Sequence, residues 1–261
     1  MTDASRGLEV TVLGCGTSIG VPVVACDCAV CTSTEPRNHR TRPSLCLRWN
    51  DRTVIIDTTP DFRMQCLRHG VRRVDAVLYT HAHADHVFGL DDLRAFNFRQ
   101  RGKIPCYGSA LTLRHIRKTF SYVFDGQPSE GGGKPQLDPR TIDGPFELFG
   151  RRIEPIPVLH GSLEVTAFRL GAFAYVTDTN HIPDASLRAL AGVEILILDA
   201  LHYRPTPTHF SIEQAIEVAA EIGARQTWLT HLSHNVDYTA VEVELPRGVE
   251  LAYDGLHFRV A

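Results

Sequence analysis

The sequence predicts an α/β protein folded as an αββα sandwich. Short apolar segments with the length of buried strands recur through both halves of the 261-residue chain, with helical patterns between them. Two successive halves of this kind are typical of two sheets that each carry helices on the outer face. No fixed-period repeat and no convincing boundary divides the chain, so one domain spanning residues 1–261 is expected.

The first half of the chain alternates strands with helices. Strands are predicted over residues 8–14, 44–49, 53–57, 75–80 and 104–107, and helices over 61–69, 90–100 and 109–120. Asn50 and Asp51 join two of the strands as a hairpin turn. The glycine-rich segment 14–20 lacks the following helix that a dinucleotide fingerprint needs. It is either a plain tight turn or a place where backbone N–H groups approach a phosphate.

The second half of the chain follows a segment rich in Gly, Pro and charge. This segment, residues 125–144 with glycines 131–133 at its centre, is expected to form a flexible loop. Strands follow over 146–149, 152–157, 164–170, 173–177, 194–199 and 227–230, with two short C-terminal strands, and helices over 184–190 and 211–222. The last helix has a capping box of Ser211 and Gln214 and ends at Gly223.

Composition narrows the class of protein. A content of 43% hydrophobic and 22% charged residues is ordinary for an enzyme. A net charge of −3 argues against binding nucleic acid through a broad positively charged surface. No apolar run reaches the roughly 18 residues of a membrane helix, and the N-terminus lacks the apolar core of a signal peptide. We therefore expect a cytoplasmic protein with no membrane partner.

The seven cysteines fall into two groups. Without a secretory signal they are expected to remain reduced rather than to form a disulfide framework. Free cysteine commonly behaves as a small buried hydrophobe. This is the role expected for the four that are scattered among apolar neighbours: Cys15, Cys46, Cys66 and Cys106.

The candidate chemistry is concentrated in Thr80-His81-Ala82-His83-Ala84-Asp85-His86, which follows a predicted buried strand. Clustered His and Asp after an apolar strand need polar partners, and metal ions can supply them. Residues two apart in a strand tip point the same way, so His81 and His83 are expected to reach one ion. Asp85 and His86 lie past the bend and suit a second ion.

Further donors recur at the ends of apolar strands, at His160, Asp178 and His231. With the motif they make five His and two Asp, enough for two ions with three protein ligands each and one shared carboxylate. An ion with three protein ligands keeps a position open for water, which is typical of a catalytic site. This donor set suits zinc, and manganese or iron also fit.

On this motif and these strand ends, the sequence resembles the metallo-β-lactamase superfamily over nearly the whole chain. The resemblance implies the metallo-β-lactamase fold and two catalytic divalent metals. It assigns His81, His83 and His160 to the first metal, Asp85, His86 and His231 to the second, and Asp178 to both as a bridge. It also matches Asp57, which ends another strand and is expected to orient the ligand loop.

A second metal site is predicted from Cys26-Asp27-Cys28-Ala29-Val30-Cys31. Three thiolates within six residues need one more ligand to complete a tetrahedron, and His234 is the candidate. A set of three Cys and one His is a closed, structural zinc site, here on a loop near residues 26–31. Because His234 lies three residues after His231, one peptide is expected to serve both metal sites.

The cysteine loop and the late Thr-His-x-x-His narrow the resemblance to the phosphoribosyl 1,2-cyclic phosphate phosphodiesterase branch. In that branch a histidine upstream of the final Thr-His acts as general acid; His209 matches it, and His202 is a weaker candidate. The resemblance implies a phosphodiesterase that hydrolyses a small phosphodiester, a cyclic ribose or nucleotide phosphate, by metal-bound hydroxide. Asp178 and His209 are its expected catalytic residues.

Alternatives to this function stay open. A thioester or other ester hydrolase of the same fold would use the same metal ligands, and a non-hydrolytic carrier like the pyrroloquinoline-quinone biosynthesis B proteins shares the cysteine loop. A tRNA-processing nuclease ranks lower, because the arginine pairs at 72–73 and 151–152 are too short to bind RNA and no stable nucleic-acid partner is expected. The expected partner is a small phosphodiester substrate, and a homodimer is the default assembly.

Overall fold

The computed structural model describes residues 7–127 and 133–260. Its strands are β1 (Leu8–Gly14), β2 (Ser44–Trp49), β3 (Arg52–Ile56), β4 (Ala76–Leu78), β5 (Ile104–Gly108), β6 (Leu137–Thr141), β7 (Phe146–Leu148), β8 (Arg151–His160), β9 (Leu163–Leu170), β10 (Phe173–Val176), β11 (Ile195–Asp199), β12 (Gln226–Thr230), β13 (Val249–Leu251) and β14 (His257–Val260). The α-helices are α1 (Phe62–Arg68), α2 (Ala84–Val87), α3 (Leu93–Gln100), α4 (Ala110–Thr119), α5 (Ser121–Phe124), α6 (Asp184–Leu190), α7 (Ile212–Ile222) and α8 (Tyr238–Glu242). Short 3₁₀ helices span Pro36–Asn38 and Leu90–Asp92.

The strands form two seven-stranded sheets. Their orders are β14-β1-β2-β3-β4-β5-β6 and β13-β12-β11-β10-β9-β8-β7. One apolar cluster lies between the sheets, a second between the second sheet and α6, α7 and α8, and a third between the first sheet and α1, α3 and α4. These four layers confirm the predicted αββα sandwich.

Side-chain alternation along the strands builds these layers. In β3, Val54 and Ile56 pack between the sheets while Ile55 faces the helices. In β11, Ile197 joins the cluster between the sheets and Leu196 joins the helix-side cluster. Strands that are apolar on both faces are typical of sheets covered on both sides. Each fully buried side chain of this size stabilises the fold by roughly 1.5–3 kcal/mol.

Parallel strands gather the loops that carry the candidate metal ligands. β3, β4 and β5 run parallel in the first sheet, and β10, β11, β12 and β13 run parallel in the second. The carboxyl ends of parallel strands meet at one edge of a sheet. Backbone hydrogen bonds link the sheets there: Thr166 N–H donates to Thr80 O at 3.0 Å, Leu232 N–H donates to Cys15 O at 2.9 Å, and Thr17 N–H donates to Leu232 O at 3.1 Å.

Two predictions of local structure are wrong in part. Strand β6 lies inside the segment 125–144 that the sequence predicts as a flexible loop, because these residues pair in parallel with β5 and local composition does not reveal a partner strand. Glycines 131 and 132 of that segment fall outside the described residues. Strand β4 ends at Leu78, so His81 and His83 lie in the loop that follows rather than on the strand tip.

The cysteine prediction and the membrane prediction can be compared with the structure. Cys15, Cys46, Cys66 and Cys106 are buried, as predicted, and all seven cysteines are free thiols. Within residues 7–127 and 133–260, no helix combines the length and the apolar character that crossing a bilayer requires.

Candidate metal centre

Asp178 stands at the centre of a cluster of His and Asp side chains. It follows β10, is buried, and belongs to three overlapping groups in which the donor atoms lie within 4.8 Å of one another. The groups are Asp85, His86, Asp178 and His231; His81, His83 and Asp178; and His160, Asp178 and His209. The structure therefore brings the seven predicted ligands of the catalytic metals together around one carboxylate.

The Asp178 carboxylate reaches both predicted ligand sets. Its Oδ1 lies 3.2 Å from His86 Nε2, and its Oδ2 lies 3.4 Å from His231 Nε2. Oδ2 also lies 3.8 Å from His81 Nε2, which belongs to the other set. Asp85 Oδ2 lies 3.3 Å from His86 Nε2 and 3.6 Å from His231 Nε2. This is the arrangement that a bridging carboxylate requires.

The imidazole nitrogens at the centre test whether metal ions fit this site. The Nε2 atoms of His81, His86 and His231 are buried and have no hydrogen-bond partner in the described part of the chain. A buried polar atom without a partner costs about 1–3 kcal/mol. Imidazole nitrogens that converge on carboxylate oxygens form a donor set that divalent metals prefer. The residues present therefore fit metal ions.

Hydrogen bonds on the Nδ1 ring nitrogens orient the imidazoles of His86 and His160. His86 Nδ1 lies 2.7 Å from Asp57 Oδ2, and His160 Nδ1 lies 2.7 Å from Thr208 O. A proton on Nδ1 leaves Nε2 free to bind a metal. Asp57 also accepts hydrogen bonds from Thr80, at 2.9 Å from its N–H and 2.7 Å from its hydroxyl. Asp57 therefore holds the loop that carries the motif, in the position that the sequence predicts for it.

Three strand-end residues of the site have left-handed backbone conformations although none is glycine. The φ angle is 62° at Asp57, 50° at Asp178 and 63° at His231. This conformation costs on the order of 1 kcal/mol or more per residue and persists only where the surrounding structure holds it. The conformation of His231 is stabilised by the next residue, Leu232, whose N–H donates to Cys15 O at the end of β1.

Burial and neighbouring charges shift the pKa values of the cluster. Burial lowers the pKa of His81 well below its usual value, and the charge of His86 adds to the effect. Burial also disfavours the charged form of His231, but the carboxylates of Asp178 and Asp85 outweigh it and raise the pKa of His231 to about 9. The carboxylates therefore hold a proton on His231 that a metal ion has to displace.

A second buried carboxylate, Asp199, holds His209 beside the cluster. Asp199 ends β11, and its two oxygens lie 3.1 and 3.3 Å from His209 Nδ1. It also accepts hydrogen bonds from the backbone N–H groups of Asp178 and Phe210, at 3.2 and 3.1 Å. The ring of His209 stacks on that of His231 at 4.6 Å. One carboxylate therefore positions both the central Asp178 and the imidazole of His209.

Sequence reasoning missed Asp199 as a site residue. The signal was present, because Asp199 ends an apolar strand as Asp57 does. His202, the weaker sequence candidate for the proton donor, lies outside the cluster. It joins none of the His and Asp groups formed by residues 7–127 and 133–260, and its Nδ1 accepts a hydrogen bond from Arg204 N–H at 3.0 Å, beside a separate cavity.

Cys26, Cys28, Cys31 and His234 form a second cluster, as the sequence predicts, with donor atoms within 4.8 Å of one another. The three Sγ atoms lie 3.2, 3.6 and 3.6 Å from His234 Nδ1. The N–H of Cys31 donates to Cys28 Sγ and lowers the pKa of Cys28 to about 6. Burial raises the pKa of Cys31 to about 11. The cluster fits a zinc ion.

A buried arginine holds the turn that links the two clusters. Arg40 is 1% exposed. Its guanidinium donates four hydrogen bonds of 2.8 to 3.1 Å, to the carbonyl oxygens of Arg37, Ser233 and Val236 and to Asn38 Oδ1. His234 lies inside this turn, and His231 lies just before it. Arg40 therefore supports one ligand of each cluster, a role that no sequence signal indicates.

The glycine-rich segment 14–20 packs against the chain next to Arg40. A Cβ at Gly14 would lie 2.2 Å from Arg42 O, and one at Gly16 would lie 2.6 Å from Arg40 O. Glycine is needed at these two positions because backbone approaches backbone. Of the two alternatives that the sequence leaves open, close packing of a turn therefore accounts for the glycines.

Comparison with known proteins identifies the family. Residues 52–232 match the family model of the beta-lactamase superfamily domain. A solved structure described as a new diphosphatase from the PhnP family is 41% identical to this chain, with 98% of each chain covered and a TM-score of 0.92. The chain belongs to the PhnP family of the metallo-β-lactamase superfamily. The resemblance to the metallo-β-lactamase superfamily stated from the motifs is confirmed.

Two curated relatives have other names. A protein named octanoyltransferase from Porphyromonas gingivalis is 38% identical over 247 residues, which are 94% of this chain and 50% of that protein. The chain thus spans about half the length of this relative. A coenzyme PQQ synthesis protein B from Methylobacterium nodulans is 33% identical over 223 residues, 74% of this chain and 72% of that protein. The substrate of this PhnP-family member therefore has to be argued from its site.

Proposed function

We propose that the protein is a phosphodiesterase that hydrolyses a small phosphodiester, a cyclic ribose or nucleotide phosphate. The observation that carries this proposal is His209, held by Asp199 at the edge of the metal-ligand cluster. Hydrolysis of such a diester releases an alkoxide, which needs a proton, whereas a thiolate leaving group does not. The 41% identity with a diphosphatase of the PhnP family also supports reaction at phosphorus.

The proposal includes two catalytic divalent metals, zinc or manganese, and one structural zinc. His81, His83 and His160 would hold the first, Asp85, His86 and His231 the second, and Asp178 both; Cys26, Cys28, Cys31 and His234 would hold the structural zinc. When bound, the catalytic metals lower the pKa of water toward about 7 and polarise the phosphoryl oxygens.

The chain's own residues supply the proton and the orientation. Asp199 accepts a hydrogen bond from His209 Nδ1–H, which leaves Nε2 as the nitrogen that faces the cluster. His209 then donates its Nε2 proton to the departing oxygen. Because Asp199 also accepts from Asp178 N–H, one carboxylate fixes both the proton donor and the residue that would bridge the metals. Asp57 orients His86 in the same way, so the ligands are preorganised.

Replacing His209 by Ala tests this role. We expect unchanged metal content and a fall in kcat of roughly 100-fold for an alkoxide-releasing 2′,3′-cyclic nucleotide. Bis(p-nitrophenyl) phosphate, which releases a stable phenolate, should be slowed far less. His202→Ala is the matched control and should leave both rates within about two-fold, since it lies outside the cluster. Equal slowing of both substrates by His209→Ala would sink the assignment.

The alternatives are separated by assay. A thioester hydrolase would cleave lactoylglutathione faster than bis(p-nitrophenyl) phosphate. The 33% identity with a coenzyme PQQ synthesis protein B favours a non-hydrolytic carrier as the second candidate, and a metal-loaded protein inactive on all these substrates would support it. Octanoyl transfer is not proposed, because half of the Porphyromonas gingivalis protein has no counterpart in this chain.

A cytoplasmic location and a homodimer remain predictions. The seven free thiols support a reducing compartment.

Gel filtration with light scattering measures the assembly. A monomer at micromolar concentration would exclude the homodimer.

A further inference from the structure

A cavity of about 170 Å³ opens beside the candidate metal centre. His81 and His83 form part of its wall, so a group bound there lies next to the first predicted metal. Apart from Ala82 in the same loop, the rest of the lining comes from α4 and from the start of β9: Leu111, Thr112, His115, Leu163 and Glu164. None of these five residues takes part in the chemistry described above.

The fold holds the α4 side of this cavity in a defined position. Helix α4 begins directly after β5, and the Ser109 hydroxyl caps it by accepting from Thr112 N–H at 3.1 Å. Leu111 and His115 are four residues apart and therefore share one face of the helix. This face turns toward the loop of His81 and His83, because β5 pairs with β4, the strand before that loop.

The opposite wall is fixed by strand register. Glu164 pairs with Leu159, and Leu163 pairs with His160, the last residue of β8 and a predicted metal ligand. Two residues further along β9, Thr166 N–H donates to Thr80 O at 3.0 Å. The carboxylate of Glu164 is therefore carried by a strand that is tied both to His160 and to the loop of His81.

The lining has the chemistry of a sugar site. Glu164 and His115 are exposed, and their side chains have no hydrogen-bond or ion-pair partner among the residues that the structure describes. A carboxylate only accepts hydrogen bonds, so it suits hydroxyl protons and repels a second phosphate. Leu111 and Leu163 offer apolar surface for the carbon face of a ring.

Size and shape argue against a nucleobase. A cavity of about 150 Å³ binds one benzene ring, so a cavity of about 170 Å³ suits one sugar ring rather than a nucleoside. Bases are commonly stacked on large aromatic rings, and the only aromatic residues in the described lining are the smaller imidazoles of His81, His83 and His115.

We infer that this cavity binds the uncharged sugar ring of the phosphodiester substrate, with Glu164 and His115 as specificity-determining residues that contact its hydroxyls. The inference rests on the proposed phosphodiesterase function and deepens it. Glu164 accepts a hydrogen bond from a ring hydroxyl, and His115 makes a second polar contact from the facing helix. Neither group reacts, so both act on KM rather than on kcat.

Two matched substrates test the inference on the metal-loaded enzyme. The p-nitrophenyl diester of ribose 5-phosphate carries ring hydroxyls, whereas tetrahydrofurfuryl p-nitrophenyl phosphate has the same ring without them. We expect wild type to favour the ribosyl ester by about ten-fold or more in kcat/KM, since a hydrogen bond to a charged group has that effect. Glu164→Gln should abolish most of this preference through KM and leave the tetrahydrofurfuryl ester unchanged.

Glu147→Gln, an exposed change on β7, is the matched control and should alter neither rate. Equal rates on the two esters in wild type, or equal slowing of both by Glu164→Gln, would overturn the sugar site while leaving the phosphodiesterase function intact. If wild type hydrolyses neither ester, nor bis(p-nitrophenyl) phosphate, the proposed function itself fails and the sugar site fails with it.

Discussion

The His and Asp cluster around Asp178 draws its donors from four separate loops and strand ends of both sheets, whereas three of the four donors in the cysteine cluster come from six consecutive residues. The first cluster is largely buried and contains two carboxylates; the second is mostly half-buried and contains thiols. Supporting side chains also differ. Asp57 and Asp199 hold imidazoles of the first cluster, while a backbone N–H serves Cys28 in the second.

This difference matches two kinds of metal site. A buried site with strained strand-end residues and several unpartnered nitrogens is preorganised for chemistry and depends on the whole fold. A compact loop of cysteines can close around an ion with little help from the rest of the chain. The two meet only in the turn from His231 to His234, which Arg40 holds. Changes in one cluster should therefore affect the other mainly through this turn.

The largest effect is expected at Asp178, the carboxylate that both predicted ligand sets share. Asp178→Asn keeps the shape of the side chain but removes the charge shared by both ligand sets, so catalytic metal is lost. We expect kcat/KM for bis(p-nitrophenyl) phosphate to fall about 1,000-fold, the equivalent of several kcal/mol. Metal analysis should still find one zinc at the cysteine cluster. Asp184→Asn, at an exposed position in α6, is the control; loss of the cysteine-bound zinc in Asp178→Asn would show that the clusters are not separate.

The second effect concerns pH and the metal-free protein. The pKa of His231 is raised to about 9 from an unfolded value near 6.5, so its contribution is fully present below pH 6.5 and is lost as pH rises to 9. This removes roughly 3 kcal/mol of stability. Below pH 6.5, the Tm of EDTA-treated wild type should exceed that of EDTA-treated His231→Gln. This difference in Tm should disappear as the pH rises to 9.

Cys28 in the cysteine cluster has the opposite sign of pH dependence. Its pKa is lowered to about 6, so the contribution of this thiolate is present above pH 9 and is lost as pH falls through 6. Both proteins contain Cys28, so subtracting the Tm-against-pH curve of His231→Gln from that of wild type removes this opposing contribution. A difference that stays flat between pH 6.5 and 9 would contradict the charge balance assigned to His231.

The third prediction breaks the cysteine cluster. Cys26→Ser should release the structural zinc and lower stability by about 2–3 kcal/mol, which corresponds to a fall in Tm on the order of 5–10 °C. The catalytic metals should stay bound, with only a several-fold fall in kcat because the turn after His231 loosens. Cys106→Ala, in the core and away from both clusters, should leave the zinc in place. Full retention of zinc by Cys26→Ser would exclude this cysteine as a ligand.

The smallest effect tests the connection between the clusters. Arg40→Lys keeps the charge but cannot make all four hydrogen bonds, so we expect a loss of about 2 kcal/mol. Both the cobalt(II) charge-transfer band of the cysteine site and kcat should weaken together. Arg42→Lys, whose parent side chain is half-buried beside Asp61, is the matched control. A variant that loses stability with an unchanged cobalt spectrum and unchanged kcat would show that Arg40 has no influence on either metal site.

Much of the fold and of the site could be predicted because the signals are local. The apolar runs predicted most of the strands, and the capping box with Gly223 predicted α7 to within one residue. The seven predicted metal ligands, which the structure brings together, could be named because each is a His or Asp in a motif or at a strand end. Strand β6 was missed, since its partner β5 lies some thirty residues earlier and composition alone favours a loop.

The sequence by itself determined the inventory of this protein: the strand and helix order, the spacing of His81 to His86, and the three cysteines of one loop. Local periodicity and short-range spacing carry this information. Only the tertiary structure decided how the parts act together. In the folded chain Asp199 holds His209, Arg40 holds the linking turn, and Glu164 lines the cavity beside His81. These contacts join residues far apart in sequence, so they depend on sheet register and packing. The physical reason is that the types and spacing of side chains are local properties of the sequence, whereas their relative positions depend on the pairing of strands that are distant in sequence.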